Sequence, residues 1–144
     1  DVLSMLPPGA VLLVTADHGQ VQVGDRILTP TGELLAHCSL QSGEGRFRWM
    51  HARRGADADL LAAARDEFGD VAWVRTREEL IDAGWFGPTV SPTVAHRLGD
   101  VAVVAHADVS FHDPDDGGPF ALICRHGSMT SAEVYVPLLA GTRA

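Results

Sequence analysis

The stretch at 10–15, Ala-Val-Leu-Leu-Val-Thr, constrains the fold of this chain more than any other segment. It is short, continuous and apolar. Pro7, Pro8 and Gly9 precede it, and Asp17, His18 and Gly19 follow it. A run this short cannot make a stable helix, and it lacks the alternation of a half-exposed strand. It therefore predicts a strand buried on both faces, as in a parallel sheet covered by helices. A chain built around such a strand falls in the α/β or α+β class.

The remaining pattern mixes strands and helices. Residues 1–6 read as the tail of a helix, stopped by the Pro-Pro-Gly break. Residues 20–45 are turn-rich, with Val21, Val23, Ile27 and Leu28 as candidates for short strands. Residues 46–52 alternate, with Phe47 and Trp49 on one side and Arg46 and Arg48 on the other, which predicts a half-exposed edge strand with solvated arginines, a phosphate contact being the alternative for the two arginines. Residues 57–68 predict a helix with Leu60, Leu61, Ala64 and Phe68 on one face and Gly69 as its stop.

A strand at 71–74 follows, and then Thr76 and Glu79 form a capping box for a helix ending near Gly84. Ser91 and Pro92 open a short helix. Strands are expected at 101–105, 109–111 and 120–124, with a turn at 113–119 before the last of them. A second capping box, Thr130 with Glu133, starts one helical turn, and residues 136–139 are expected to close on the core. Trp49, Trp73, Trp85 and Phe86 read as packing residues, with a leaving-group pocket as the alternative.

Composition narrows the function. The 144 residues fit one domain with a real core. A net charge of −8 argues against broad nucleic-acid binding, which needs Lys and Arg to displace counterions. It leaves room for a small phosphorylated substrate, because bound cations can supply the positive charge. All eleven basic residues are Arg, and neither Lys nor Asn occurs, which points to a GC-rich bacterial gene. No apolar run approaches the ~20 residues that cross a bilayer, and no signal-like segment is visible, so a cytoplasmic location is favoured. Cys38 and Cys124 have no metal-type spacing; Cys38 reads as a loop residue and Cys124 as a buried strand residue.

Two places can carry chemistry. Asp17 and His18 emerge after the first strand, where ligands collect in open α/β sheets. A carboxylate and an imidazole both suit zinc, and Gly19 lets the chain turn sharply beside a metal. His126, Gly127 and Ser128 repeat the arrangement after a second apolar run. His37, His51, His96, His106 and His112 fit no motif. Arg125 reads as outward-pointing, with a phosphate contact as the alternative.

Val14-Thr15-Ala16-Asp17-His18-Gly19 resembles the Thr-Ala-Asp-His-Gly motif of the alkaline phosphatase superfamily. The segment from His126-Gly127-Ser128 to Val136-Pro137-Leu138 resembles that superfamily's final His-Gly motif, which is followed by an acidic residue and Val-Pro-Leu. Order and spacing are similar to the type I phosphodiesterase/nucleotide pyrophosphatase branch. The resemblance implies a mixed or mostly parallel sheet flanked by helices, of which residues 1–144 are the C-terminal portion, with 46–112 as a small α+β insert.

The resemblance also implies roles. Asp17 and His18 would bind the zinc that activates a nucleophile, and His126 the second zinc, with manganese as the alternative metal. Two such ions clamp the attacking and leaving oxygens of a phosphoryl transfer. The family's Thr or Ser nucleophile and its further ligands lie upstream of its Asp-His-Gly motif, so no catalytic nucleophile is assigned in this chain. The expected activity is hydrolysis of phosphodiester or pyrophosphate bonds in nucleotide-like substrates, with little or no turnover by these residues alone. The alternatives are a phosphomonoesterase, a phosphonate or sulfate ester hydrolase, or a non-catalytic α/β interaction module.

Overall fold

The computed structural model of the chain describes residues 2–115 and 122–143. Its elements in order are α1 (Val2–Met5), β1 (Val11–Thr15), β2 (Val21–Gln22), β3 (Ile27–Leu28), α2 (Gly32–His37), β4 (Cys38–Glu44), β5 (Phe47–Ala52), α3 (Asp57–Phe68), β6 (Ala72–Thr76), α4 (Arg77–Asp82), α5 (Pro92–Ala95), β7 (Val101–Ala105), β8 (Ser110–Phe111), β9 (Cys124–Arg125), α6 (Ser131–Val134) and β10 (Leu138–Thr142). The turn expected at 113–119 and the strand expected at 120–124 fall largely on residues 116–121, which lie outside the described residues.

The main sheet has the order β4-β5-β7-β6, with antiparallel neighbours throughout. Its centre is β7, and all five of its residues are buried. Val101, Val103 and Ala105 face a layer made by Leu34 of α2 and by Leu60, Ala64 and Phe68 of α3. Ala102 and Val104 face Trp49, Leu80 of α4, Trp73, Trp85 and Phe86. The alternation follows from the two-residue period of a strand. Each large side chain so buried contributes about 1.5–3 kcal/mol of transfer free energy. The pairings elsewhere are mixed: β3 lies parallel to β8, while β1–β10 and β2–β9 are antiparallel pairs.

Local chemistry sets the helices where expected. Asp57 and Asp59 occupy the first turn of α3 and Arg65 the last, which suits the helix dipole. Thr76 and Glu79 form the full capping box of α4, and Ser91 caps α5 with Pro92 at its start. The helix α2 and the strand β4 were not expected in the turn-rich stretch. Thr31 caps α2 through the Leu34 N–H, and Glu67 of α3 in turn accepts from the Thr31 N–H at 2.9 Å and its hydroxyl at 2.7 Å.

Several expectations are corrected. The run at 10–15 is not a buried parallel strand. β1 pairs antiparallel with β10 alone, and Val11, Leu13 and Val14 are exposed. Residues 136–139 do not close on the core, since Leu138 and Leu139 are exposed in β10. Cys124 is half-buried rather than buried, while Cys38 is buried at the start of β4. Burial pushes the Cys38 thiol above its ordinary value.

Arg46 and Arg48 are the sharpest reversal: they are 0% and 1% exposed. β5 is internal, between β4 and β7, and Glu133 and Asp113 lie over the side that carries the two arginines. Each guanidinium is compensated. Arg46 makes a two-pronged pair with Glu133, with Nε to Oε1 at 2.8 Å and Nη2 to Oε2 at 2.9 Å. Arg48 lies 3.6 Å from the Asp113 carboxylate and donates to the carbonyls of Phe111 and Gly43. Burial draws the Arg48 guanidinium below its usual value, and Asp113 opposes that shift.

Candidate metal centre

The two motifs meet because the two ends of the chain run side by side. β1 lies against β10, with Thr15 opposite Leu138, and β2 lies against β9, with Val21 opposite Arg125. Between these two ladders the strands part. Residues 16–20 fill the gap on one side and 126–137 on the other. The Val23 and Gly24 N–H groups both donate to the Ile123 carbonyl at 2.9 Å, extending the second ladder. The Gly19 N–H reaches across the gap to the Glu133 carbonyl at 2.8 Å.

In that gap the imidazoles of His18 and His126 stack, with ring centroids 3.8 Å apart and planes 15° from parallel. The His18 Nδ1 lies 2.7 Å from the Gly19 carbonyl oxygen. A carbonyl only accepts, so Nδ1 carries the proton, and a neutral ring keeps its lone pair on Nε2. Nε2 in turn lies 3.8 Å from the Asp17 Oδ2, and the Asp17 side chain is 89% exposed. The other Asp17 oxygen, Oδ1, accepts the His18 N–H at 3.0 Å. Asp17, His18 and His126 are thus brought together, as the sequence predicts.

This donor set suits a cation. A backbone carbonyl that fixes one ring nitrogen and frees the other is the usual outer support of a metal-bound histidine. Two imidazoles and an exposed carboxylate are borderline-soft and hard donors of the kind zinc accepts. Among the described residues, however, no group of three or more His, Cys, Asp or Glu side chains is already gathered around one point.

Both motif glycines are required, for different reasons. Gly127 has a φ of +113°, and a Cβ there would meet the Glu44 Cβ at 2.8 Å. Gly19 has no positive φ. It is needed for close approach, because a Cβ there would lie 2.0 Å from the Ala132 carbonyl oxygen.

The Thr130–Glu133 pair is not a capping box. Thr130 makes no side-chain cap on α6; its hydroxyl donates to Glu133 Oε2 instead. Glu133 Oε1 also accepts the Ser128 N–H at 3.0 Å. Burial alone would raise the Glu133 carboxyl, but hydrogen bonds from Arg46, Thr130 and Ser128 outweigh it and hold the group below its ordinary value. The Ser128 hydroxyl donates to the Ala105 carbonyl, fixing the His126 loop to the end of β7. The sequence offers Arg46 only as a phosphate contact or a solvated edge residue and Glu133 only as a cap, so their pairing is not legible from it. The available signal was a pair of arginines spaced by two inside a strand otherwise rich in Phe, Trp and Met.

Other candidates make contacts of their own. His51 Nε2 contacts the Ser42 hydroxyl, and His106 packs edge-on to Trp73. The aromatic residues Trp49, Trp73, Trp85 and Phe86 form the second core layer. Arg125 is half-buried, and its Nε is buried without a hydrogen-bond partner.

No family model matches the sequence, and no curated protein does. Solved structures do match. Human ectonucleotide pyrophosphatase/phosphodiesterase 5 aligns over 90% of this chain at 16% identity with a TM-score of 0.65. Phosphonoacetate hydrolase from Sinorhizobium meliloti 1021 aligns over 92% at 19% identity, with TM-scores of 0.63 and 0.64 in complexes with phosphonoformate and phosphonoacetate. The chain spans 33% of the human protein and 36% of the bacterial one. The chain shares its fold with these structures and spans about a third of their length.

Proposed function

We propose that this chain supplies part of the two-zinc site of a hydrolase that cleaves phosphodiester or pyrophosphate bonds in nucleotide-like substrates. The observation that carries the reading is the stack of His18 on His126, since the two residues come from motifs at opposite ends of the chain. Asp17 and His18 would hold one ion and His126 the other. When bound, zinc lowers the pKa of an attacking hydroxyl and offsets charge on the phosphoryl oxygens. The protein's own part is to keep His18 Nε2 free through the Gly19 carbonyl and to leave the Asp17 carboxylate open to solvent.

The nucleophile and the other ligands would come from polypeptide beyond these residues. The apolar, exposed faces of β1 and β10 support this, because a larger sheet and its helices would cover Val11, Leu13, Leu138 and Leu139. In this reading residues 46–112, with β4 completing their sheet, form the insert subdomain beside the site. The likeness to phosphonoacetate hydrolase favours a second reading, in which the same two ions serve phosphonate cleavage.

The test joins this chain to the polypeptide encoded immediately upstream and compares zinc-dependent turnover of bis(4-nitrophenyl) phosphate, 4-nitrophenyl phosphate, 4-nitrophenyl sulfate and phosphonoacetate. The diester is expected to react fastest. A rate greatest on phosphonoacetate would favour the second reading. No zinc-dependent turnover of any of them would reject both.

A further inference from the structure

We infer that Glu133 is the positioning residue that sets His18 against His126, and that Arg46 holds Glu133 in the orientation this requires. The inference deepens the metal-centre reading and, for its metal arm, rests on it. Glu133 touches the chain beside both imidazoles. Its carbonyl accepts the N–H of Gly19, next to His18. Its carboxylate accepts the N–H of Ser128, two residues beyond His126.

The carboxylate has no capacity left for substrate or metal. Oε1 accepts from Arg46 Nε and the Ser128 N–H, and Oε2 from Arg46 Nη2 and the Thr130 hydroxyl. Two acceptor sites on each oxygen are all a carboxylate offers. Glu133 is also only 3% exposed. It therefore acts through the two loops and not on a ligand.

Arg46 gives the carboxylate a fixed frame. Its Nη1 donates to the carbonyls of Ala107 at 2.9 Å and Val109 at 2.7 Å, just beyond β7. The guanidinium is thus locked to the main sheet, and its fork presents Nε and Nη2 to Glu133 in one plane. Such two-pronged pairing fixes direction as well as distance. A buried ion pair is a poor source of net stability compared with apolar residues of similar volume. What it supplies here is a set relation between two loops that no regular ladder joins.

The test uses the 144-residue chain with three variants: Glu133→Gln, Glu133→Asp and the paired Arg46→Met/Glu133→Leu. The first readout is the NMR shift of the His126 ring protons, which the stacked His18 ring displaces; His18→Ala gives the unstacked reference. The near-ultraviolet signal of Trp49, Trp73 and Trp85, on the far face of the sheet, reports that the fold is intact. With that signal unchanged, Glu133→Gln and the paired variant are expected to move the His126 shift to the His18→Ala value, and Glu133→Asp to restore it in part. The second readout is zinc affinity, expected to fall about 10–100-fold in the same two variants.

An unchanged His126 shift in folded variants overturns the inference. So does loss of the tryptophan signal in the paired variant, because the pair would then be a requirement for folding. If wild type binds no zinc while the shifts move as expected, the positioning role stands and the metal-centre reading fails.

Discussion

The carbonyl of Glu133 accepts the N–H of Gly19 at 2.8 Å, and that bond joins the two histidine-bearing loops directly. It exists only because the backbone of α6 can approach Gly19 without meeting a side chain. The contact is therefore sensitive to a single methyl group.

Gly19→Ala should destabilise the chain by about 1–3 kcal/mol, because its Cβ would fall 2.0 Å from the Ala132 carbonyl oxygen and backbone must move. Gly24→Ala is the control. Its φ is +60°, but nothing lies within 4 Å of the added carbon, so its cost is limited to backbone strain of about 1 kcal/mol. Urea denaturation of the two variants measures the difference. Equal costs would show that loop contact at Gly19 is unimportant.

Removing one member of the buried ion pair should cost more than removing both. Arg46→Met leaves the Glu133 carboxylate buried without its main partner, with an expected loss of about 3–5 kcal/mol. Arg46→Met/Glu133→Leu removes both charges and should be more stable than the single variant. A double-mutant cycle by denaturant unfolding reads the coupling. Additive effects would contradict the pairing.

Stability should fall in acid through Glu133. Its carboxyl is held below the ordinary value of 4.5 in the folded chain, by Arg46, Thr130 and Ser128 against the opposing effect of burial. The contribution is fully present above 4.5 and is lost as pH falls through the depressed folded value. Unfolding free energies measured between pH 7 and pH 3 should show wild type losing more stability below pH 4.5 than Glu133→Gln does. Parallel curves would contradict this.

Burial reverses the weight of the two apolar runs. Val103→Ala in β7 should cost at least about 1 kcal/mol, because the side chain is fully buried. Leu13→Ala in β1, at 63% exposure, should change the stability of this chain by no more than about 0.5 kcal/mol. Thermal melts of the two variants decide it.

That reversal shows where sequence reasoning reached its limit. The helix α3 and the capping box of α4 were legible, since helix period and caps depend on residues within a turn or two. The meeting of Asp17, His18 and His126 was legible through two motifs, each set just after a strand. Yet Val-Leu-Leu-Val and Val-Ala-Val-Val read alike, and only long-range pairing decides which run sits between two helical layers. β7 lies between β5 and β6, while β1 has β10 alone. Arg46 and Arg48 were misplaced for the same reason. Their alternation with Phe47 and Trp49 describes a half-exposed strand, but Glu133 and Asp113, distant in sequence, fold over them as counter-charges. The helix α2 was hidden because its cap, Thr31, sits in a turn-like sequence and is braced by Glu67 of α3.

Anomalous diffraction from zinc-soaked crystals of the chain tests the central claim most directly. The account predicts zinc at about 2.0–2.2 Å from a ring nitrogen of His18 or His126, with Asp17 oxygen in the same shell as His18. Zinc peaks confined to His37, His51, His96, His106 or His112, with none in the gap between the two motifs, would contradict it.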